Sequence, residues 1–445
     1  MWQVDHILVL AKMPSNESNA RLRVGIIGAG LAGLTLAYTL SKADHLDVHV
    51  YEGAEKLRPE GAAVGIGYNG QEAMRYLDPA IRQALDDAGG VLMTNPSVRF
   101  MMGVGPHEGE VVYDMALAQP QITVHRYSLL QRFLGLLKPE VVVWGKKVER
   151  ISDQDSSKSA VIVDWTDGTT SAFDVLVGCD GLNSICRRYV LADQPDQMEA
   201  FTTGRYNFRH VVPMEEAVKV LGQEYCSRQA QHGWFGANGC FSLTDIEEDG
   251  KVMQVITGWS TGEPWPYDQP YVKWDAEKLT TDLTRDSGKF GECLAKLITM
   301  QEPLMCAAAR VHPITTSYSK CSVCIVGDAA QGIAPALGAG AGQAMEDAMV
   351  LKVLLTNPSL KPHNVPAALQ AYSTTRVPRH SEIARGSLNM IKTFVGEKTW
   401  NGEKHDIDQL KQLLVGKWDW SQKGGFDFDE TSRQALSEFE STKTG

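Results

Sequence analysis

Residues 24–52 constrain this chain more than any other stretch. Val24 to Ile27 is a short apolar run rich in β-branched residues, which reads as a buried strand. Gly28, Gly30 and Gly33 follow in the spacing G-x-G-x-x-G, and Leu31, Leu34 and Tyr38 then recur at a helical period. A second strand, Val48 to Tyr51, ends on Glu52, nineteen residues past Gly33. In such a unit the first glycine makes the strand-to-helix turn. The second lets a pyrophosphate approach the backbone, and the third lets the helix sit close on the sheet. The helix N-terminus offers free N–H groups to phosphates, and an acid at the end of the second strand accepts hydrogen bonds from an adenosine ribose.

The pattern therefore predicts a dinucleotide site, with a purely structural βαβ turn as the competing reading. Glu52 would repel a 2′-phosphate, which leaves FAD or NAD rather than NADP as the resident ligand. At 445 residues the chain exceeds the size at which a single core stops growing, so two domains are expected. A hydrophobic fraction of 43% and a charged fraction of 22% are those of a globular protein. The net charge of −11 gives no reason to expect nucleic acid or an anionic membrane as partner. Eight cysteines in this length make no disulfide scaffold. Cys321 and Cys324 form a C-x-x-C without a second pair at zinc spacing, so both read as buried thiols and no metal site is expected. Residues 1–20 read as a loose extension, and no apolar run is long enough to span a bilayer. A cytoplasmic protein is the default, and oligomeric state stays open.

Further along, Gly61 to Gly67 is Gly/Ala-rich, and Gly65 within it would let backbone approach a flat ligand. Gln71 to Leu77 reads as helix, Val98–Met102 and Val111–Met115 as strands, and Leu129 to Leu137 as helix, with His125 and Arg126 just before it. Val141–Trp144 and Val161–Trp165 are strand-like, and Thr166 to Thr169 is a hairpin signal. Phe173 to Gly178 reads as one buried strand ending in Asp180-Gly181, with a serine and an arginine beyond. Residues 195–316 turn aromatic and alternating, which suits an antiparallel sheet and a second domain. The nucleotide-type pattern resumes at Cys324 to Ala330 and Gly338 to Gly342, ahead of a helix bearing Ala344, Met345, Ala348 and Leu351. Pro378 is expected to end or kink a later helix, and the stretch with Trp400, Trp418 and Trp420 is expected to pack as a helical cap.

Three patterns thus stand in order: Gly28 to Gly33 with Glu52, Asp180-Gly181, and Gly327-Asp328. Together they resemble the FAD-dependent aromatic hydroxylases of the para-hydroxybenzoate hydroxylase fold. Gly327 to Ala348 is most similar to the salicylate hydroxylase-like branch. Tyr206 to Arg209 and the tail from Trp418 to Asp429 resemble fungal flavin monooxygenases of phenolic polyketides. The resemblance implies an α/β chain with a Rossmann-like, discontinuous FAD-binding domain (21–95, 118–194 and 317–375). It further implies an antiparallel-sheet substrate domain (96–117 and 195–316) and a C-terminal helical cap (376–445), with residues 1–20 left outside.

The same resemblance implies roles. Glu52 would hold the adenosine ribose, Arg126 would contact the flavin, and Asp328 would bond the ribitol. The helix opening at Ala341 would aim its positive end at the flavin, stabilising the anion formed on reduction. Asp180 and Gly181 would shape the pyrophosphate side. NADPH or NADH would bind transiently, since one full glycine fingerprint leaves no second nucleotide domain. Reduced flavin would take up dioxygen as a C4a-hydroperoxide, to be attacked by a phenolic small molecule. Arg209 would face that substrate and favour its phenolate. Its competing reading is a solvated arginine at a sheet edge, as a surface arginine is for Arg126. The chain departs from the family pattern at Gln331, where a histidine is usual, at Phe241, where a tyrosine is expected, and at Ala63, where glycine is common. Epoxidation or Baeyer–Villiger oxidation on the same fold, and FAD binding without oxygen chemistry, stay open as alternatives.

Overall fold

The computed structural model describes residues 21–59, 63–94, 96–117, 119–153, 160–226, 229–237, 239–247, 250–260, 265–267, 269, 271–275, 277, 279, 281, 283, 291–300, 304–394, 407–415 and 426–442. The N-terminal extension, Gly61, Ala62 and the tryptophans at 400, 418 and 420 lie outside these residues.

The glycine-rich unit builds the centre of a six-stranded sheet. Its strands are β1 (Leu22–Ile27), β2 (Leu46–Tyr51), β8 (Val142–Val143), β12 (Val175–Gly178), β19 (Ser319–Lys320) and β20 (Val323–Ile325), in the order β19-β20-β12-β1-β2-β8. All pairings are parallel except β19 with β20. Val24, Ile26, Val175, Leu176, Val177 and Ile325 are fully or almost fully buried, as expected of a sheet covered on both faces. The helices Leu31–Leu40 and Gly340–Leu355 pack together, and each is buried nearly all round. Beside this sheet lie a small one, β3 (Ala63–Ile66), β4 (Val91–Leu92) and β7 (Ile122–His125), and the hairpin sheet of β9 (Val148–Asp153), β10 (Val161–Trp165) and β11 (Thr170–Phe173).

The second large sheet has eight strands. They are β5 (Val98–Met102), β6 (Val111–Met115), β13 (Phe201–Pro213), β14 (Gln231–Phe235), β15 (Cys240–Glu247), β16 (Val252–Ser260), β17 (Tyr271–Trp274) and β18 (Leu304–Val311), in the order β17-β18-β13-β16-β15-β14-β5-β6. The strands at 98–115 do join those of 195–316, as expected. One pair departs from the antiparallel expectation: β14 and β5 run parallel. The β5–β6 hairpin enters from a distant part of the chain, so no tight turn dictates its direction. On β13 the alternation holds, with Tyr206 and Phe208 buried towards Trp259, Trp265 and Trp274. The helices Met214–Leu221 and Glu292–Ile298 cover that apolar side.

Four readings need correction. Phe173 to Gly178 is two strands, broken at Asp174, whose carboxylate accepts from the Arg23 amide at 2.8 Å and from its guanidinium. Val141–Trp144 shortens to a 3-10 turn and the two residues of β8. Of the two outcomes expected at Pro378, an end or a kink, the end does not occur, since the helix runs from Val365 to Phe394 through it. Cys321 is exposed, with a left-handed φ of 51°, while Cys324 is buried. An unforeseen helix, Pro79–Asp87, starts at the cap Asp78, whose side chain accepts from the Ala80 amide. Among the described residues no helix is long and apolar enough to cross a membrane.

Phe208 is fully buried, stacked on Trp259 at 4.8 Å and edge-on to Trp274. Phe208→Ala is expected to cost about 3–5 kcal/mol of stability, read from urea denaturation.

Candidate active site

The three glycines divide their work as the spacing requires. Gly28 has φ +103°, and a Cβ there would meet the Cys179 carbonyl oxygen at 2.5 Å. A Cβ on Gly33 would collide with the Gly28 carbonyl oxygen, so this glycine sets how closely the helix approaches the strand. At Gly30 a Cβ would meet nothing within 4 Å among the described residues, which leaves open space over the helix N-terminus. Glu52 accepts from the Ala29 amide at 2.9 Å and the Ala54 amide at 2.8 Å, so its carboxylate is fixed beside the glycine turn. This open, donor-lined cradle fits a dinucleotide pyrophosphate.

Asp180 lies behind the turn, its Cα 3.3 Å from where a Gly28 Cβ would stand. Its carboxylate is spent on capping the helix Ile185–Val190, accepting from the Ser184 hydroxyl, the Ile185 amide at 2.8 Å and the Cys186 amide at 3.2 Å. Two positions on, Arg187 is fully buried and grips the Gly327-Asp328 turn from below, donating to the carbonyls of Ala329 at 3.1 Å and Ala330. Burial pulls its pKa down to about 10.

Asp328 lies near enough to Arg126 for the two charges to interact. Asp328 is exposed to solvent, yet desolvation by surrounding protein raises its pKa while the charges of Arg126 and His380 oppose the rise. A group reachable by water and yet desolvated lines a deep cleft rather than a convex surface. The Asp328 carboxylate also faces the start of the Gly340–Leu355 helix, lying 3.9 Å from where a Gly340 Cβ would stand. That helix opens one residue before Ala341, and Arg126 is the first residue of its own helix rather than a residue ahead of it. Gly65, on β3, flanks Gln121: a Cβ there would meet the Gln121 Oε1 at 3.5 Å. Gln121 in turn bonds Gln231 of the large sheet.

A buried charge network holds the turn from behind. The Gly327 amide donates to Asp347 at 2.9 Å. Asp347 also accepts from Arg376 at 2.7 Å and pairs with His380 at 3.1 Å. Burial raises the Asp347 pKa, but the charges of His380 and Arg376 outweigh it and hold the carboxyl down at about 2. Arg376 also pairs with Glu346 at 2.8 Å, and Glu346 accepts from Asn69 at 2.7 Å. Glu346 and Asp347 lie in the stretch that carries the resemblance, but Asn69, Arg376 and His380 belong to no motif. The signal available was polar residues on helix faces otherwise apolar.

The large sheet presents its other face to the cleft. The registers place Asn207 and Arg209 of β13, Gln254, Ile256 and Gly258 of β16, and Phe241, Leu243, Asp245 and Glu247 of β15 on that face. Phe241 stacks on Phe394 at 4.3 Å and 5°, beside Phe100 and Phe235. It offers no hydroxyl to Arg209. Instead the guanidinium feels the carboxylates of Asp245 and Glu247, which oppose a pKa lowered by burial. Arg209 is exposed to solvent in spite of that desolvation, the same signature as Asp328. It makes no direct hydrogen bond or ion pair among the described residues. Nor is it at an edge, because β13 lies between β16 and β18. Gln331 turns away from the cleft, donating to the His312 and Pro313 carbonyls and accepting from the Thr315 amide at 3.1 Å.

A dinucleotide cradle facing a sheet that bears Arg209 and Phe241, backed by a buried phenylalanine cluster, is the arrangement of a flavoprotein of the aromatic-hydroxylase class. A family model described as an FAD binding domain matches residues 21–387, and the chain belongs to that family. It is 30% identical to a 6-methylsalicylate 1-monooxygenase of Aspergillus terreus, over 94% of this chain and 92% of the relative. It is 27% identical to a salicylate hydroxylase of Pseudomonas putida, over 93% and 95% of the two chains. A solved substrate complex of salicylate hydroxylase superposes with a TM-score of 0.78 at 25% identity, covering 94% of this chain and 98% of that one. The chain is therefore an FAD-dependent monooxygenase.

Arg376→Ala would remove the cation shared by buried Glu346 and Asp347, leaving only Arg379 beside the first and His380 beside the second. It is expected to cost about 3–5 kcal/mol, measured as the shift in urea midpoint multiplied by the slope.

Proposed function

We propose that this protein hydroxylates a phenolic small molecule, consuming NAD(P)H and dioxygen, in the cleft between the glycine cradle and the large sheet. The observation that carries the reading is Arg209: a desolvated, solvent-reachable guanidinium with no hydrogen bond or ion pair among the described residues, on the same sheet face as Phe241. A phenol has a pKa near 10, so its reactive anion is scarce at neutral pH. A guanidinium within about 4–6 Å favours the anion by 1–3 units and fixes the ring. The relatives named for salicylate and 6-methylsalicylate support an aromatic substrate.

In this reading Gly28, Gly30 and Gly33 cradle the FAD pyrophosphate, and Glu52 holds the adenosine ribose. Gly65 lets backbone lie against the ring system. Arg126 and Asp328 hold the flavin end, and Asp180 shapes the turn from behind. The helix N-terminus at Gly340 and Ala341 favours negative charge on the bound group. Bound FAD supplies the electron transfer and oxygen activation. The protein supplies position, exclusion of water and the substrate's charge state. We also propose the division of labour expected from the sequence: residues 21–95, 118–194 and 317–375 for the cofactor, 96–117 and 195–316 for the substrate, 376–445 as a cap, in a cytoplasmic enzyme.

The test is NAD(P)H oxidation by the FAD-loaded protein over a panel of phenols, with product mass showing one added oxygen. Consumption that no phenol stimulates would overturn the reading. Glu52→Lys deletes an acceptor and adds a cation, so FAD is expected to bind about 2–5 kcal/mol more weakly by fluorescence titration. Arg209→Ala is expected to keep FAD and fold but lower product formation roughly 100-fold, with NAD(P)H oxidation diverted to peroxide. Product within about threefold of wild type would return Arg209 to a structural role.

A further inference from the structure

Removing a phenol's proton requires somewhere to put it, and the cleft face offers few places. Phe100, Phe235, Phe241, Leu243, Ile256, Gly258 and Asn207 are not acids or bases. Glu247 is fully buried, and one of its oxygens accepts the Ala63 amide at 3.1 Å. Asp245 differs. It is 2% exposed, two strands from Arg209 and one same-face step along, across Gln254. Its Oδ2 accepts from Gln254 at 3.1 Å and the Gln231 amide also faces the carboxylate, while Oδ1 makes no hydrogen bond of normal geometry among the described residues. An unfilled carboxylate oxygen in so dry a place is costly unless something comes to it.

We propose that Asp245 is the proton acceptor for the substrate hydroxyl whose anion Arg209 stabilises. The inference rests on the hydroxylase reading above. In the step, the phenol O–H bond breaks, its electron pair stays on the substrate oxygen, and the proton forms an O–H bond to Asp245. Nothing is oxidised or reduced. The negative charge moves from one partner of Arg209 to another, so the desolvated site acquires no new net charge, which in a low dielectric is the favourable route. Asp245 is suited to this exchange. Burial pushes its pKa up to about 6, and the amides of Gln231 and Gln254 and the charge of Arg209 keep it from rising further. A base poised there is ionised at neutral pH and still basic enough to accept a proton. The charged groups facing it are Arg209 of β13 and Glu247 of its own strand. Gln254 of β16, Gln231 of β14 and Gln121 beyond them are neutral.

The experiment compares wild type, Asp245→Asn and Asp245→Glu as FAD-loaded full chains. The probes are salicylate, 6-methylsalicylate, resorcinol and orcinol, with product formation followed across pH. In wild type, product formation should rise with pH through about 6, as the acid ionises. Asp245→Asn should keep its flavin, lose roughly 100-fold in product formation at neutral pH and lose that acid limb. It should recover as pH approaches the phenol's own pKa, and Asp245→Glu should restore the limb. If Asp245→Asn fails to hold FAD, the wild-type profile decides, and a flat profile through pH 6 overturns the proposal. An Asp245→Asn enzyme with an unchanged limb and product within about threefold removes the inference alone. Wild type inert towards all four phenols removes the hydroxylase reading, and the inference with it.

Discussion

The site depends on one buried hydrogen bond, from the Gly327 amide to Asp347. The turn after β20 carries Asp328 into the cleft, and a turn is soft unless something holds its backbone. Asp347 does so only because Arg376 and His380 keep it ionised in a place with no water. Separating such charges from one another would cost far more than the single bond they support. The opposite side of the turn is gripped by Arg187 through the carbonyls of Ala329 and Ala330. Two fully buried arginines, from distant segments, thus fix one short stretch of main chain. The flexibility that a Gly-Asp-Ala-Ala turn would have in isolation is removed before any cofactor arrives.

The fold was legible where local rules act alone. The glycine spacing, the period of the first helix and the acid at position 52 each have one physical meaning in that order, and the parallel sheet followed. The strands at 98–115 and the alternation on β13 were legible because a half-buried strand must alternate. Misreadings arose where a distant partner decides. Asp174 breaks an otherwise continuous strand because Arg23, 151 residues away in sequence, needs its carboxylate. Pro378 is tolerated in mid-helix, beside Arg376, Arg379 and His380, whose pairing with Glu346 and Asp347 anchors that turn. Asp245 was passed over because an acid in an alternating strand ordinarily faces water. Only the register, which brings it onto the face of Arg209, shows otherwise.

Two of the three departures from the family pattern, Gln331 and Phe241, have unequal weight. Gln331 stitches the 312–315 segment to the turn through three main-chain bonds and leaves the cleft wall untouched. Phe241 changes the wall itself. It exchanges a phenol for a stacked pair with Phe394, so the polarity around Arg209 is supplied by carboxylates instead. One face of β15 thus carries an apolar end at Phe241 and an acidic end at Asp245 and Glu247.

Phe394 closes the helix that begins at Val365, and that helix also carries Arg376. Eighteen helical steps separate the two, about 27 Å along the axis. One end is tied into the charges behind the Gly327-Asp328 turn, and the other packs in the buried phenylalanine cluster of the large sheet. The two half-sites thus share a single structural member. A substitution that shifts this helix therefore disturbs the buried charge network and the phenylalanine cluster together.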